Sequence, residues 1–138
     1  MKQLPLCKSL VLLALIALSF SSCQPYETPY GLEGMWQVQT MTDKQTGKVT
    51  EVTMPFYYCF QMELMTLNHN FITSYTIDGD SLRYSTFNSY LDDSSPDITI
   101  AELIPYGIEQ APGAFAFQRK GSSLTLETET KRLELIKY

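Results

Sequence analysis

The sequence is poor in residues that do chemistry. It holds one histidine, His69, and three cysteines, Cys7, Cys23 and Cys59. It has no glycine-rich phosphate loop and no histidine-based metal cluster. A catalytic thiol needs a base, and the only histidine lies in the turn-like stretch LNHN, while Cys59 sits among aromatics in PFYYCFQMEL. Cys59 therefore reads as a small strand residue, and with Cys7 and Cys23 otherwise accounted for it has no intramolecular partner for a structural disulfide. The expectation is a protein that is not an enzyme, with no catalytic residues, no cofactor and no metal.

Positive charge is also scarce, ten Lys and Arg standing against fifteen Asp and Glu for a formal net charge of −5. Without residues 1–22, which contain Lys2 and Lys8, eight basic residues face fifteen acidic ones, a balance of −7. Nucleic-acid binding needs clustered Lys and Arg against phosphate and is excluded as an expected role. The acids at Asp92, Asp93 and Asp97 in YLDDSSPD do not have the spacing of an EF-hand loop and read as a solvated loop. Glu127 and Glu129, with Lys131 beside them, read as ordinary wet surface.

Long apolar runs are confined to the N-terminus. From Leu10 to Phe20 every residue except Ser19 is apolar, preceded by Lys2 and Lys8 and followed by Ser21, Ser22 and Cys23. The run is roughly half of the about 20 residues a membrane-spanning helix needs. A positive start, an apolar middle and a small-residue end are the layout of an export signal. The stretch SFSSC resembles the lipobox of bacterial lipoproteins. That resemblance implies removal of residues 1–22 and lipidation of Cys23, with a membrane as partner through the acyl chains; more than one chain makes detachment slow. Gln24 is not the Asp that often retains such proteins in an inner membrane, so the outer membrane is favoured within the cell envelope. Residues 23–31, with QPYETPYG, read as a lipidated terminus and tether, and residues 32–138 as one domain.

Within that domain, short aromatic and β-branched segments are broken by turn signals, which points to an all-β, small up-and-down antiparallel barrel of about eight strands with one short helix. ITSYTIDGDSLRYSTF reads as a hairpin turning at DGD, and the C-terminal stretch as three strands turning at KGSS and about ETKR. TDKQTGK supplies another turn. Alternation places Trp36, Val38 and Thr40 on one face. It likewise sets Phe56, Tyr58, Phe60, Met62 and Leu64 inward, against Tyr57, Cys59, Gln61 and Glu63 outward. Thr99 and Glu102 have capping-box spacing, with Pro105 and Gly107 to stop a helix after little more than one turn.

GLEGMWQVQT places Gly34 two residues before Trp36, and TGK, IPYGI and RLELIKY follow in order. Together these resemble the lipocalin-like domains carried by lipoproteins of Bacteroidota, over most of the chain from about Leu32. The resemblance implies a barrel that binds a small apolar ligand, with Trp36, Tyr58, Phe60, Phe115 and Phe117 as candidate walls. It also implies that Trp36 plugs one end under an arginine, for which Arg132 is the positional match. Alternation itself puts Arg132 with Glu134, opposite Leu133, so inward placement requires a bulge. The alternative is a barrel filled by its own side chains, whose outer face or loops contact another envelope protein or a glycan.

Overall fold

The computed structural model describes residues 31–92 and 98–138. The signal (1–22), Cys23 and the tether (23–31) apart from Gly31, and Asp93 and Asp97, lie outside the described residues.

The strands are β1 (Gly34–Asp43), β2 (Val49–Glu51), β3 (Tyr57–Gln61), β4 (Leu64–Leu67), β5 (Phe71–Asp78), β6 (Ser81–Tyr84), β7 (Asn88–Ser89), β8 (Gly113–Lys120), β9 (Ser123–Glu127) and β10 (Lys131–Lys137). Eight of them form a closed antiparallel ring in the order β1, β3, β4, β5, β6, β8, β9, β10, with β10 pairing back onto β1. Closure leaves the ring without a free edge. β2 extends alongside the second half of β1, and β7 pairs with β5.

The expected turns between β1 and β2, β5 and β6, β8 and β9, and β9 and β10 are all present. In the first, the Asp43 carboxylate accepts from the backbone N–H groups of Gln45 and Thr46 at 2.9 and 3.2 Å. These bonds hold its carboxyl below the ordinary carboxylate value.

Two stretches depart from simple alternation. Phe56, Tyr58 and Phe60 are buried as expected, but Met62 is 76% exposed and Leu64 43% exposed. The cause is a two-residue turn. Gln61 pairs with Leu64, and Met62 and Glu63 carry φ of 50° and 64°. The chain therefore reverses where the alternating pattern runs on, and Met65 and Leu67 become the inward residues of β4. In β1, the register shifts between Val38 and Thr40. After this bulge Thr40 turns outward, its hydroxyl donating to the Glu134 carboxylate at 3.0 Å, while Met41 packs against the core.

The only regular helix among the described residues is α1 (Ile100–Leu103), continued by a 3₁₀ turn, Ile104–Tyr106. The Glu102 carboxylate accepts from the Thr99 backbone N–H at 2.8 Å, which completes the expected capping box. Gly107 ends the segment with φ of 86°. A Cβ there would lie 2.7 Å from the Leu133 side chain, so the left-handed turn and the close approach both require glycine. Leu103 and Ile108 are buried, and Tyr106 sets its ring edge-on to Phe56 and Phe71 at 5.4 and 5.6 Å. The segment thus plugs one end of the ring. Trp36, near the start of β1, lies at the other end.

Candidate functional site

The interior is built from the inward residues of all eight strands. Trp36, Val38, Tyr58, Phe60, Met65, Leu67, Tyr75, Leu82, Tyr84, Phe115, Leu124, Leu126, Leu133 and Leu135 belong to one buried cluster. Four of the five candidate wall residues, Trp36, Tyr58, Phe60 and Phe115, are fully buried in it, and Phe117 packs against it partly buried.

Their geometry bears on what the interior can hold. β3 and β8 are four steps apart around the eight-strand ring, which makes them opposite walls. Tyr58 of β3 and Phe115 of β8 nevertheless meet with ring centroids 6.3 Å apart, within contact range for aromatic pairs. Phe60 reaches Tyr75 of β5 at 5.3 Å, and Tyr84 of β6 reaches Phe115 at 5.3 Å. The candidate walls touch one another across the barrel.

Two interior phenols tie the helix-end plug down. The Tyr58 hydroxyl donates to the Tyr106 carbonyl at 2.6 Å, and the Tyr84 hydroxyl donates to the Gln110 carbonyl at 2.9 Å. Burial pushes the Tyr58 phenol well above its ordinary value. Burial, with the Glu109 charge adding to it, pushes Tyr84 up to about 12. Both stay protonated donors through the physiological range. Beside the plug, a groove of about 390 Å³ is lined by Tyr84, Glu109, Gln110, Ala114, Thr128, Glu129 and Thr130. Glu109 is engaged there by the Thr130 hydroxyl and by Lys131 at 3.8 Å.

At the opposite end the Trp36 indole N–H donates to the Leu32 carbonyl at 2.8 Å. Two cations lie over its ring: the Arg119 guanidinium carbon at 5.6 Å from the centroid and the Lys137 ammonium at 5.5 Å. The expected partner, Arg132, is elsewhere. It projects from the start of β10 at the helix end and pairs with Glu127. That pairing, together with Lys44, holds the Glu127 carboxyl below its ordinary value.

The difference follows from strand phase. Arg119 is in phase with the inward Phe115 and Phe117, and Lys137 with the inward Leu133 and Leu135. Each emerges on the interior side at the end of its strand, whereas Arg132 is out of phase and no bulge in β10 turns it inward. Phase alone was a signal that could have found both cations. Arg119 also donates to the Gly31 and Gly121 carbonyls. Gly31 has φ of 61°, and a Cβ on it would overlap the guanidinium, so this contact depends on glycine.

Among the described residues no group of three or more His, Cys, Asp and Glu side chains is placed to hold a metal ion. Cys59 is a free thiol on the outer side of β3, and burial pushes it above its ordinary value, away from a reactive thiolate.

A closed, eight-stranded antiparallel barrel plugged at one end by a tryptophan and at the other by a short helix has the architecture of lipocalin-type folds. The chain belongs to the lipocalin-like domain family, whose model matches residues 18–138. Among solved structures, a lipocalin-like protein from Bacteroides uniformis is 20% identical with a TM-score of 0.56, covering 78% of this chain and 98% of its own. An uncharacterized protein from Bacteroides eggerthii is 17% identical with a TM-score of 0.58, covering 78% of this chain and 99% of its own. At these identities the likeness speaks to the fold alone. Comparison with curated proteins finds no match.

Proposed function

We propose that this protein is a non-enzymatic, lipid-anchored module of the cell envelope whose barrel is filled by its own side chains. It works through its outer surface and loops, against another envelope protein or a glycan. The observation that carries this reading is the contact of Tyr58 with Phe115 between opposite walls of the barrel. The lipocalin-like fold is typically a binding fold, so the simpler expectation is a small apolar ligand inside. Such a ligand would have to part rings that are already packed on one another and lose their contacts. A binding role placed outside the barrel costs no core contact.

Anchoring rests on the order of Lys2, Lys8, the apolar run and SFSSC before Cys23, and the outer membrane remains the favoured location because residue 24 is Gln. Intact mass measurement of protein from the membrane fraction tests the anchor. An acylated chain beginning at Cys23 is expected, with the Cys23→Ala variant released to the soluble fraction; an unmodified mature chain overturns it. Thermal unfolding with added dodecanoate tests the filled interior. A ligand that binds only the native state raises Tm as its concentration passes Kd. No rise is expected, and a saturable rise in Tm returns the interior ligand.

A further inference from the structure

The outer face of the barrel is not uniform. On β3, β4 and β5 a groove of about 220 Å³ is lined by Cys59, Gln61, Met62, Leu64, Thr66, His69, Ile72 and Tyr90. None of these is Asp, Glu, Lys or Arg, although such residues make up 18% of the chain. Its middle is the cross-strand row Cys59, Thr66 and Ile72. At one end stand the exposed Met62 and Leu64; at the other, Tyr90 and His69 set their rings 5.9 Å apart.

Thr66 is the informative member. It points away from the core, as its cross-strand position opposite Cys59 requires, yet it is only 9% exposed. Its hydroxyl oxygen is buried, and the one polar group that interacts with it is the Cys59 thiol beside it, a weak hydrogen-bond partner. A thiol satisfies a buried hydroxyl poorly, and hydroxyls so poorly satisfied are few in folded proteins.

We propose that this groove binds a small, uncharged aromatic molecule bearing a single hydrogen-bonding group. The chemistry of the lining selects each attribute. No lining residue is Asp, Glu, Lys or Arg; the Glu33 carboxylate beside the groove, taken up by the Met62 backbone N–H and acting on Cys59, disfavours an anion, and desolvating a charge on the uncharged lining is costly. Apolar side chains at Met62, Leu64 and Ile72 favour a hydrophobic body, and the Tyr90–His69 pair gives a flat ligand a ring to pack against. The volume admits about seven water-sized groups at ~30 Å³ each, which suits one or two fused rings with a short substituent. The ligand's polar group would answer Thr66. This inference goes beyond the protein or glycan partner proposed above and shares with it only the reading that the outer surface is the working part.

The test is a titration of the full chain with 2-naphthol, an uncharged two-ring phenol, followed by methyl NMR. Saturable shifts are expected at the methyls of Met62, Leu64 and Ile72, with Leu82 and Leu126 inside the barrel unmoved. Leu64→Glu, at an exposed rim position, should weaken binding at least about tenfold, equivalent to 1.4 kcal/mol. Thr66→Val should weaken 2-naphthol severalfold and leave naphthalene unchanged. No saturable shift at any methyl overturns the groove proposal alone. Shifts at Leu82 and Leu126 instead overturn both the groove and the outer-surface reading. Binding that survives Leu64→Glu at full strength places the ligand elsewhere and overturns the groove.

Discussion

At the tryptophan end the barrel is shut by residues of its own strands, whereas at the helix end it is shut by a segment that leaves the wall after β7 and returns at β8. Trp36 is fixed by the pairing of β1 with β3 and β10, by the carbonyl of Leu32 just before β1 and by the overlying Arg119 and Lys137. The plug of α1 and the 3₁₀ turn is a few residues long, too short to be a stable helix by itself. It depends on buried Leu103 and Ile108 and on two phenol-to-carbonyl hydrogen bonds. The contrast teaches that closure by strand residues comes with the sheet, while closure by a short segment rests on its tertiary bonds, so the segment is expected to yield first.

The largest effect should come from the strand-closed end. Trp36→Ala removes a fully buried side chain and should cost about 3–5 kcal/mol in urea unfolding. Leu103→Ala, at the plug, should cost about 2–3 kcal/mol, toward the low end for buried leucine because a short segment relaxes into the space. A larger loss at Leu103 than at Trp36 would reverse the comparison.

Smaller still is the latch at Tyr84. Removing its hydroxyl in Tyr84→Phe leaves the Gln110 carbonyl without this donor and should cost about 1–2 kcal/mol. Its pH dependence has a definite sign. Tyr84 titrates near 12 in the fold against an ordinary 10.0, so its contribution is fully present below pH 10 and is lost as pH climbs through about 12. Stability of the wild type should therefore fall more steeply than that of Tyr84→Phe over that interval. Parallel curves would mean that Tyr84 is solvated.

The smallest effect separates the two arginines. A double-mutant cycle of Trp36→Leu with Arg119→Ala should show coupling of about 0.5–1 kcal/mol, and the same cycle with Arg132→Ala should be additive. Coupling to Arg132 would show that the strand-phase assignment is mistaken.

Much of this architecture was legible in the sequence. Glycines in DGD and KGSS marked turns, the Thr99–Glu102 spacing marked the helix, alternation identified Phe56, Tyr58 and Phe60 as inward, and the family resemblance pointed to Trp36 and Phe115. Met62 and Glu63 were not legible as a turn because neither is Gly, Asn or Asp, the residues that take left-handed backbone at least cost. The apolar alternation ran straight through them. Thr40 was misplaced by a bulge, which leaves no mark in residue type. Arg119 was readable in principle from its phase with Phe115 and Phe117, whereas position relative to a family pattern pointed to Arg132. The outer groove was invisible to any one-dimensional pattern, since its eight lining residues come from two strand pairs, two turns and the loop at Tyr90.

The central claim is that the interior is full, and the sequence supplies a probe for it, because Trp36 is the only tryptophan and lies within the buried cluster. Titration with a fatty acid brominated on its chain brings a short-range quencher to the indole if the chain enters the barrel. The account predicts emission unchanged up to the solubility of the lipid. Saturable quenching of Trp36 with the protein still folded would contradict it.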